Sequence, residues 1–276
     1  MPIFRGRTRA VRALDWALRQ IDGSPVEAEI ESIVRCLDSG DLIDFSVLYF
    51  GGYQPGLVEY IASRLRGRPS VIWDIGANVG SVCLPLAVAL PETRIYAFEP
   101  SPPVYRRLQK NLALNPSLNS RVVAKPWALS DRTGEMDFYV SKEPSNSGVG
   151  GLGHSHNRLQ ASVRVVSLRG DDILRSKGVS LPDLIKIDVE GFECEVFVGL
   201  EGMLRQKTTL EIVFEHCLYR FRERGFQKTK AVDLLRRFGF EFFVLSDDTT
   251  RVRLLEEADL DRDCDLVARR TTPAPQ

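Results

Sequence analysis

Two short stretches place acids beside glycines at spacings that could do chemistry. The first is Asp74-Ile-Gly76-Ala-Asn78-Val-Gly80, which closes the apolar run Val71–Trp73. Glycines that follow a strand-like run let a ligand approach the main-chain N–H groups at the start of the next helix. The order is not G-x-G-x-x-G, whose third glycine serves helix packing in dinucleotide sites. A carboxylate stands before the first glycine instead, a poor neighbour for pyrophosphate and a good one for an ammonium group. Glu99, nineteen residues after Gly80, ends the run Arg94–Phe98. An acid there can accept hydrogen bonds from both hydroxyls of a ribose. Trp127 is placed to lie along an adenine or to pack. The second stretch is Asp188-Val-Glu190-Gly191, at the end of Leu184–Ile187; Glu215 and His216 end the run Leu210–Phe214. Ligands in open parallel sheets bind at the carboxyl ends of strands, so these neighbours could converge.

The elements that must hold these residues alternate. Strand-like runs at 70–75, 94–99, 121–126, 183–189 and 209–215 are separated by segments of helical period at 79–90, 102–114 and 193–204. Another helix is marked by Ala231, Leu234, Leu235 and Phe238. That alternation predicts a doubly wound α/β fold, a parallel sheet covered by helices on both faces. Residues 240–247 and 264–270 have no helix between them and predict a terminal antiparallel hairpin. Pro85, inside the first helix, predicts a kink. Between strand-like runs at 135–140 and 162–168 lies a Gly/Ser/Asn/His-rich stretch, 141–161, that reads as a long irregular loop. Val11, Leu14, Leu18 and Ile21 recur at helical spacing, as do Ile30, Ile33, Val34 and Leu37. The expected organisation is a helical segment over 1–66, a catalytic domain over 67–270 and a disordered tail over 271–276. The helical segment is a candidate lid, homodimer contact or membrane-surface contact.

Composition narrows the setting. The 276 residues are 43% hydrophobic and 27% charged, with 37 basic and 37 acidic side chains. A net charge of zero gives no electrostatic reason to expect nucleic acid as a partner. The cysteines at 36, 83, 194, 217 and 264 form no C-x-x-C pair, which fits free thiols in a reducing compartment. The sequence has no apolar run of the ~18 residues that a membrane span needs. The N-terminus is basic and lacks a signal core, so a cytoplasmic protein is expected.

The blocks "DIGANVG", "FEPSPPVYRRLQKNLALN", "ALSDRTG" and "LPDLIKIDVEGFECEVFVGL" occur in one order and together resemble the FkbM-type methyltransferases. The likeness runs from about Val71 to Glu215; "IKIDVEGFE" is its most specific part. It implies a class I, Rossmann-like, S-adenosylmethionine-dependent enzyme with a seven-stranded sheet. Such enzymes mostly methylate hydroxyl oxygens of sugars or secondary metabolites. It places Asp74, Gly76, Asn78 and Gly80 at the methionine end of the donor, Glu99 at its ribose, and Trp127 and Ala128 beside its adenine. The block around Asp188 and Glu190 would then face the transferred methyl group.

A hydroxyl is a poor nucleophile until its proton leaves, so a general base or a metal is wanted. Asp188, Glu190 and His216 are the candidates, with Lys186 able to neutralise the acids. His154 and His156, in Gly-Leu-Gly-His-Ser-His-Asn, share one face if extended and could bring a base on a lid over the acceptor. Two acids and a histidine could hold magnesium, but the ligand set is incomplete and a metal is not expected. The competing enzyme readings are N-methylation of a small molecule and nicotinamide-dependent oxidation. The first lacks its Asn/Asp-Pro-Pro-aromatic motif and the second its glycine fingerprint.

Overall fold

The computed structural model describes residues 25–141, 151–152, 159–176, 178–246 and 250–270. The helix expected over 11–21, the tail after 270, and His154 and His156 lie outside the described residues. The described chain opens with a hairpin, β1 (Val26–Ile30) and β2 (Ile33–Leu37), paired antiparallel from Val26↔Leu37 to Ile30↔Ile33. This corrects the helix expected through Ile30, Ile33, Val34 and Leu37. Alternate residues Ile33, Arg35 and Leu37 are buried, the period of a strand. The turn is made by Glu31 (φ 53°) and Ser32 (φ 63°), the left-handed pair that a two-residue hairpin loop needs. Neither is the glycine or asparagine that announces such a turn in a sequence. The side chains of Asn111 and Asn115 accept from the backbone N–H groups of Cys36 and Val34, both at 2.9 Å, and fix the hairpin to the helix behind it.

Two helices follow, α1 (Leu42–Phe50), capped by the Asp41 carboxylate accepting from Ile43 N at 3.0 Å, and α2 (Pro55–Leu65). Ile33, Leu57, Ile61 and Leu65 share one apolar cluster with Ile72, Leu84 and Val213, so residues 25–66 are packed into the same core as the sheet.

The remaining strands are β3 (Ser70–Ile75), β4 (Thr93–Phe98), β5 (Val122–Lys125), β6 (Trp127–Leu129), β7 (Gly134–Ser141), β8 (Gly151–Leu152), β9 (Leu159–Leu168), β10 (Leu184–Ile187), β11 (Leu210–His216), β12 (Glu241–Leu245), β13 (Val252–Leu254) and β14 (Cys264–Arg270). The central sheet has the order β13-β12-β14-β11-β10-β3-β4-β5, eight strands where seven were expected. β11, β10, β3, β4 and β5 run parallel; β14, β12 and β13 are antiparallel additions. β12 and β14 pair antiparallel as expected, but β13 and the short 3-10 helix Glu257–Asp261 lie between them in the chain, so they are not a direct hairpin; β14 slots between β11 and β12.

Side chains alternate between the two faces of this sheet. Trp73, Ile75, Ile185, Ile187, Ile212 and Phe214 enter one core cluster; Ile72, Leu184, Val213 and Val267 enter the other. The stretch expected to be irregular is partly ordered: β7 and β9 pair antiparallel as far as Ser141↔Leu159, and β8 joins β7. Pro85 causes no break, because it is the third residue of the helix Cys83–Ala89. N–H groups of the first turn lack intrahelical partners, so a proline there removes nothing.

Candidate active site

Backbone contact builds the glycine turn. Gly76 N and Ala77 N both donate to Phe98 O at 3.0 Å, tying the end of β3 to the end of β4. Gly76 has φ +81°, and a Cβ there would stand 1.8 Å from the Asp188 carbonyl oxygen. Only glycine lets β3 and β10 close to this distance. Gly80, at φ +91°, faces Leu84 and Leu108, and Asn78 between the two glycines is also left-handed, at φ 50°.

Glu99 lies at the end of β4, 6% exposed. Its carboxylate accepts from Asn78 N at 3.0 Å and from Ser101 N at 2.8 Å. Burial pushes it up to about 7, against the pull of those two N–H groups. One oxygen therefore reads the turn and the other the start of the next helix, and each keeps capacity for a further donor.

Asp74 is wholly buried. Its partner is Lys186, one strand over on β10, at 3.2 Å. The same ammonium donates to Gly76 O at 3.0 Å and lies 3.7 Å from Asp188. Burial raises the Asp74 carboxyl and Lys186 draws it back down. Burial works against the Lys186 charge, but Asp74 and Asp188 outweigh it and hold the ammonium above its ordinary range. Asp74 thus presents nothing directly to a ligand and acts on the turn through Lys186. Trp127 is half-buried, stacked on Phe98 at 6.4 Å, with Lys125 Nζ 5.1 Å from its ring centre. Ala128 is buried with Phe138 and Val165.

The other predicted acids collect at the ends of β10 and β11. Ile187 pairs with Phe214, which puts Asp188 and Glu215 at the next step of the two strands. On the far side Glu215 is opposite Asp265 of β14. Glu190, with φ 56°, receives a two-pronged contact from Arg220, at 2.9 and 3.2 Å. Burial lifts Glu190 to about 7, Asp188 adds to this, and Arg220 opposes it. Glu193 is 1% exposed; burial sets it near 7 although Val189 N and Gly191 N donate to it.

His216 is not brought to these acids. It follows Phe214 by two residues and so points to the Phe214 face. There its Nε2 meets Leu260 O at 3.1 Å and its ring lies 5.2 Å from Phe221. It is fully buried, and burial lowers its pKa. Its neighbour Glu215 occupies the Lys186 and Asp188 face in its place. Strand parity contains that signal, since Val213 and Glu215 alternate with Phe214 and His216. Sequence reasoning missed Tyr53, which leaves the end of α1 and packs with Ile43, Val79 and Val104 over the turn. Burial, then the nearby charge of Asp188, raises its hydroxyl well above the usual value, and Glu215 and Glu190 add to this. Among the described residues no group of three or more His, Cys, Asp and Glu side chains is arranged to hold a metal ion.

A family model described as the methyltransferase FkbM domain matches residues 74–242, more than half of the chain, from Asp74 to the second residue of β12. A hexuronic acid methyltransferase, AglP, of Haloferax volcanii is 30% identical over 147 residues, 53% of this chain and 56% of its own length. A 2-O-methyltransferase, NoeI, of Sinorhizobium fredii is 31% identical over 151 residues, 50% of this chain and 60% of its own. The chain therefore spans little more than half the length of these relatives. Among solved structures, a methyltransferase FkbM of Methylobacillus flagellatus is 16% identical, covers 72% of this chain and 43% of its own, and superposes with a TM-score of 0.47. With the matched region enclosing both the glycine turn and the acidic strand ends, the chain belongs to the FkbM methyltransferase family.

Proposed function

We propose that this protein transfers a methyl group from S-adenosylmethionine to a hydroxyl oxygen of a carbohydrate or similar small acceptor. The observation that carries the reading is the turn from Gly76 to Gly80, closed against Asp188 on one side and read by Glu99 on the other. The donor supplies an electrophilic methyl carbon on a positively charged sulfur. The chain supplies position. Glu99 has free lone pairs for ribose hydroxyls, Trp127 and Ala128 flank the place for the base, and Gly76, Asn78 and Gly80 open the main chain to the amino-acid end. Lys186 holds Asp74 and Asp188 in register with the turn. In-line displacement at carbon depends mostly on such positioning. Asp188, Glu190 and Glu215 stand on the acceptor side. The names of AglP and NoeI, a hexuronic acid and a 2-O position, support a sugar hydroxyl as acceptor. Residues 38–54, which bring Tyr53 over the turn, serve as part of a lid. A cytoplasmic setting suits the five free thiols.

Calorimetric titration with S-adenosylhomocysteine, with NAD in parallel, tests this. Binding of the former alone is expected, weakened tenfold or more by Glu99→Ala, since hydrogen bonds to a charged group are worth about 1.5–3 kcal/mol. Binding of NAD alone would replace the reading with an oxidoreductase.

A further inference from the structure

One step of the sheet concentrates acids. Extending the β3, β10, β11 and β14 pairings by one residue aligns Gly76, Asp188, Glu215 and Asp265 across four strands. Gly76 contributes no side chain. Asp188, Glu215 and Asp265 follow Lys186, Val213 and Val267 by two residues, or precede by two, so all three point to one face. Glu190 comes from the loop after β10, Glu193 is the first residue of the helix that follows, and Tyr53, packed over the turn, feels the charges of Asp188, Glu215 and Glu190. Lys186 is engaged with Asp74 and Asp188, and Arg220 with Glu190 and Glu223. Glu215 is half-buried and has no ion pair among the described residues.

Resting on the methyltransferase reading, we infer that Glu215 is the residue that takes the acceptor's proton, and that it keeps a proton of its own until a positively charged methyl donor is bound. Three things carry this. Strand parity sends Glu215, not His216, to the reacting side. Its strand neighbours on both sides, Asp188 and Asp265, are carboxylates on the same face, which disfavours a further ionised carboxyl beside them. The donor is the missing cation: a sulfonium brought to this face favours the ionised form, and its demethylated product lacks that charge. In keeping with the geometry, burial, then Asp188, Glu190, Glu193 and Asp265, push the Glu215 carboxyl up to about 9. Once ionised, such a carboxylate is a stronger base than an ordinary one. The step then balances. The acceptor's O–H bond breaks and its proton passes to the Glu215 carboxylate. An oxygen lone pair forms the O–CH3 bond as the C–S bond breaks, and that electron pair stays on sulfur. Product release leaves Glu215 protonated, as at the start.

The experiment is calorimetric binding at pH 7.5 in buffers of different ionisation enthalpy, which counts protons released. Wild type is expected to release close to one proton per S-adenosylmethionine bound and much less with S-adenosylhomocysteine. Glu215→Gln should bind both ligands and release almost none. Asp265→Asn removes one neighbouring charge and leaves Glu215 in place, so it should move the release to lower pH even if the Gln variant does not fold. Equal release with both ligands, release that persists in Glu215→Gln, or no movement in Asp265→Asn overturns the inference and leaves the donor reading standing. If wild type binds neither ligand, the donor reading falls and the inference falls with it.

Discussion

The two carboxyl ends that form this site are built by different forces. At β3 and β4, contact decides: main chain meets main chain, and Gly76 survives only because a side chain would collide with the Asp188 carbonyl. At β10 and β11, charge decides: the sheet pairings hold carboxylates side by side, at the cost of raised proton affinity. A site fixed by shape tolerates no added atom, whereas a site fixed by charge tolerates isosteres and responds to protons. Lys186 joins the two, with one contact to the turn and two to acids on different strands.

Lys186→Met would break that joint and have the largest effect. It leaves the wholly buried Asp74 without its ammonium, and removing one member of a buried pair costs about 3–5 kcal/mol. Urea unfolding at pH 7 reads this loss. The deficit should shrink as the pH falls. A carboxyl whose folded pKa is raised binds its proton more tightly folded than unfolded, so stability is lost as pH rises through the folded value and regained below it. A deficit independent of pH would show that Asp74 is not the residue exposed by the change.

Gly76→Ala probes the shape-determined end alone. Positive φ and a Cβ 1.8 Å from Asp188 O both oppose it. The expected loss is about 2–4 kcal/mol from strain and overpacking, with S-adenosylhomocysteine affinity lowered more than tenfold. Unchanged affinity in a folded variant would remove the turn from the donor site.

His216→Phe sharpens the contrast within β11 and should have the smallest effect. It loses the contact to Leu260 O, about 1 kcal/mol, and leaves donor affinity and proton release as in wild type. Because burial lowers the folded pKa of His216, the unfolded chain binds the extra proton. Wild-type stability therefore falls as pH drops below the ordinary histidine value, and the variant should lack that part of the acid dependence. If His216→Phe abolished proton release while Glu215→Gln preserved it, the assignment of faces would be reversed.

The alternation of strands and helices, the glycine turn, Glu99 and the acids after β10 were all legible in the sequence. Each is a local signal: a period, a glycine, or an acid at the end of an apolar run. The hairpin at 26–37 was not, because its apolar spacing fits both periods and its turn lacks the expected residues. What the tertiary structure alone decided was partnership. It assigned Asp74 to Lys186, turned His216 into the core and Glu215 toward Asp188, and brought Tyr53 over the turn. Which face a strand-end residue takes depends on neighbours one or two strands away, contributed by segments more than twenty residues distant in the chain. Local propensity fixes that such a residue ends a strand; the pairing of strands fixes what it meets there.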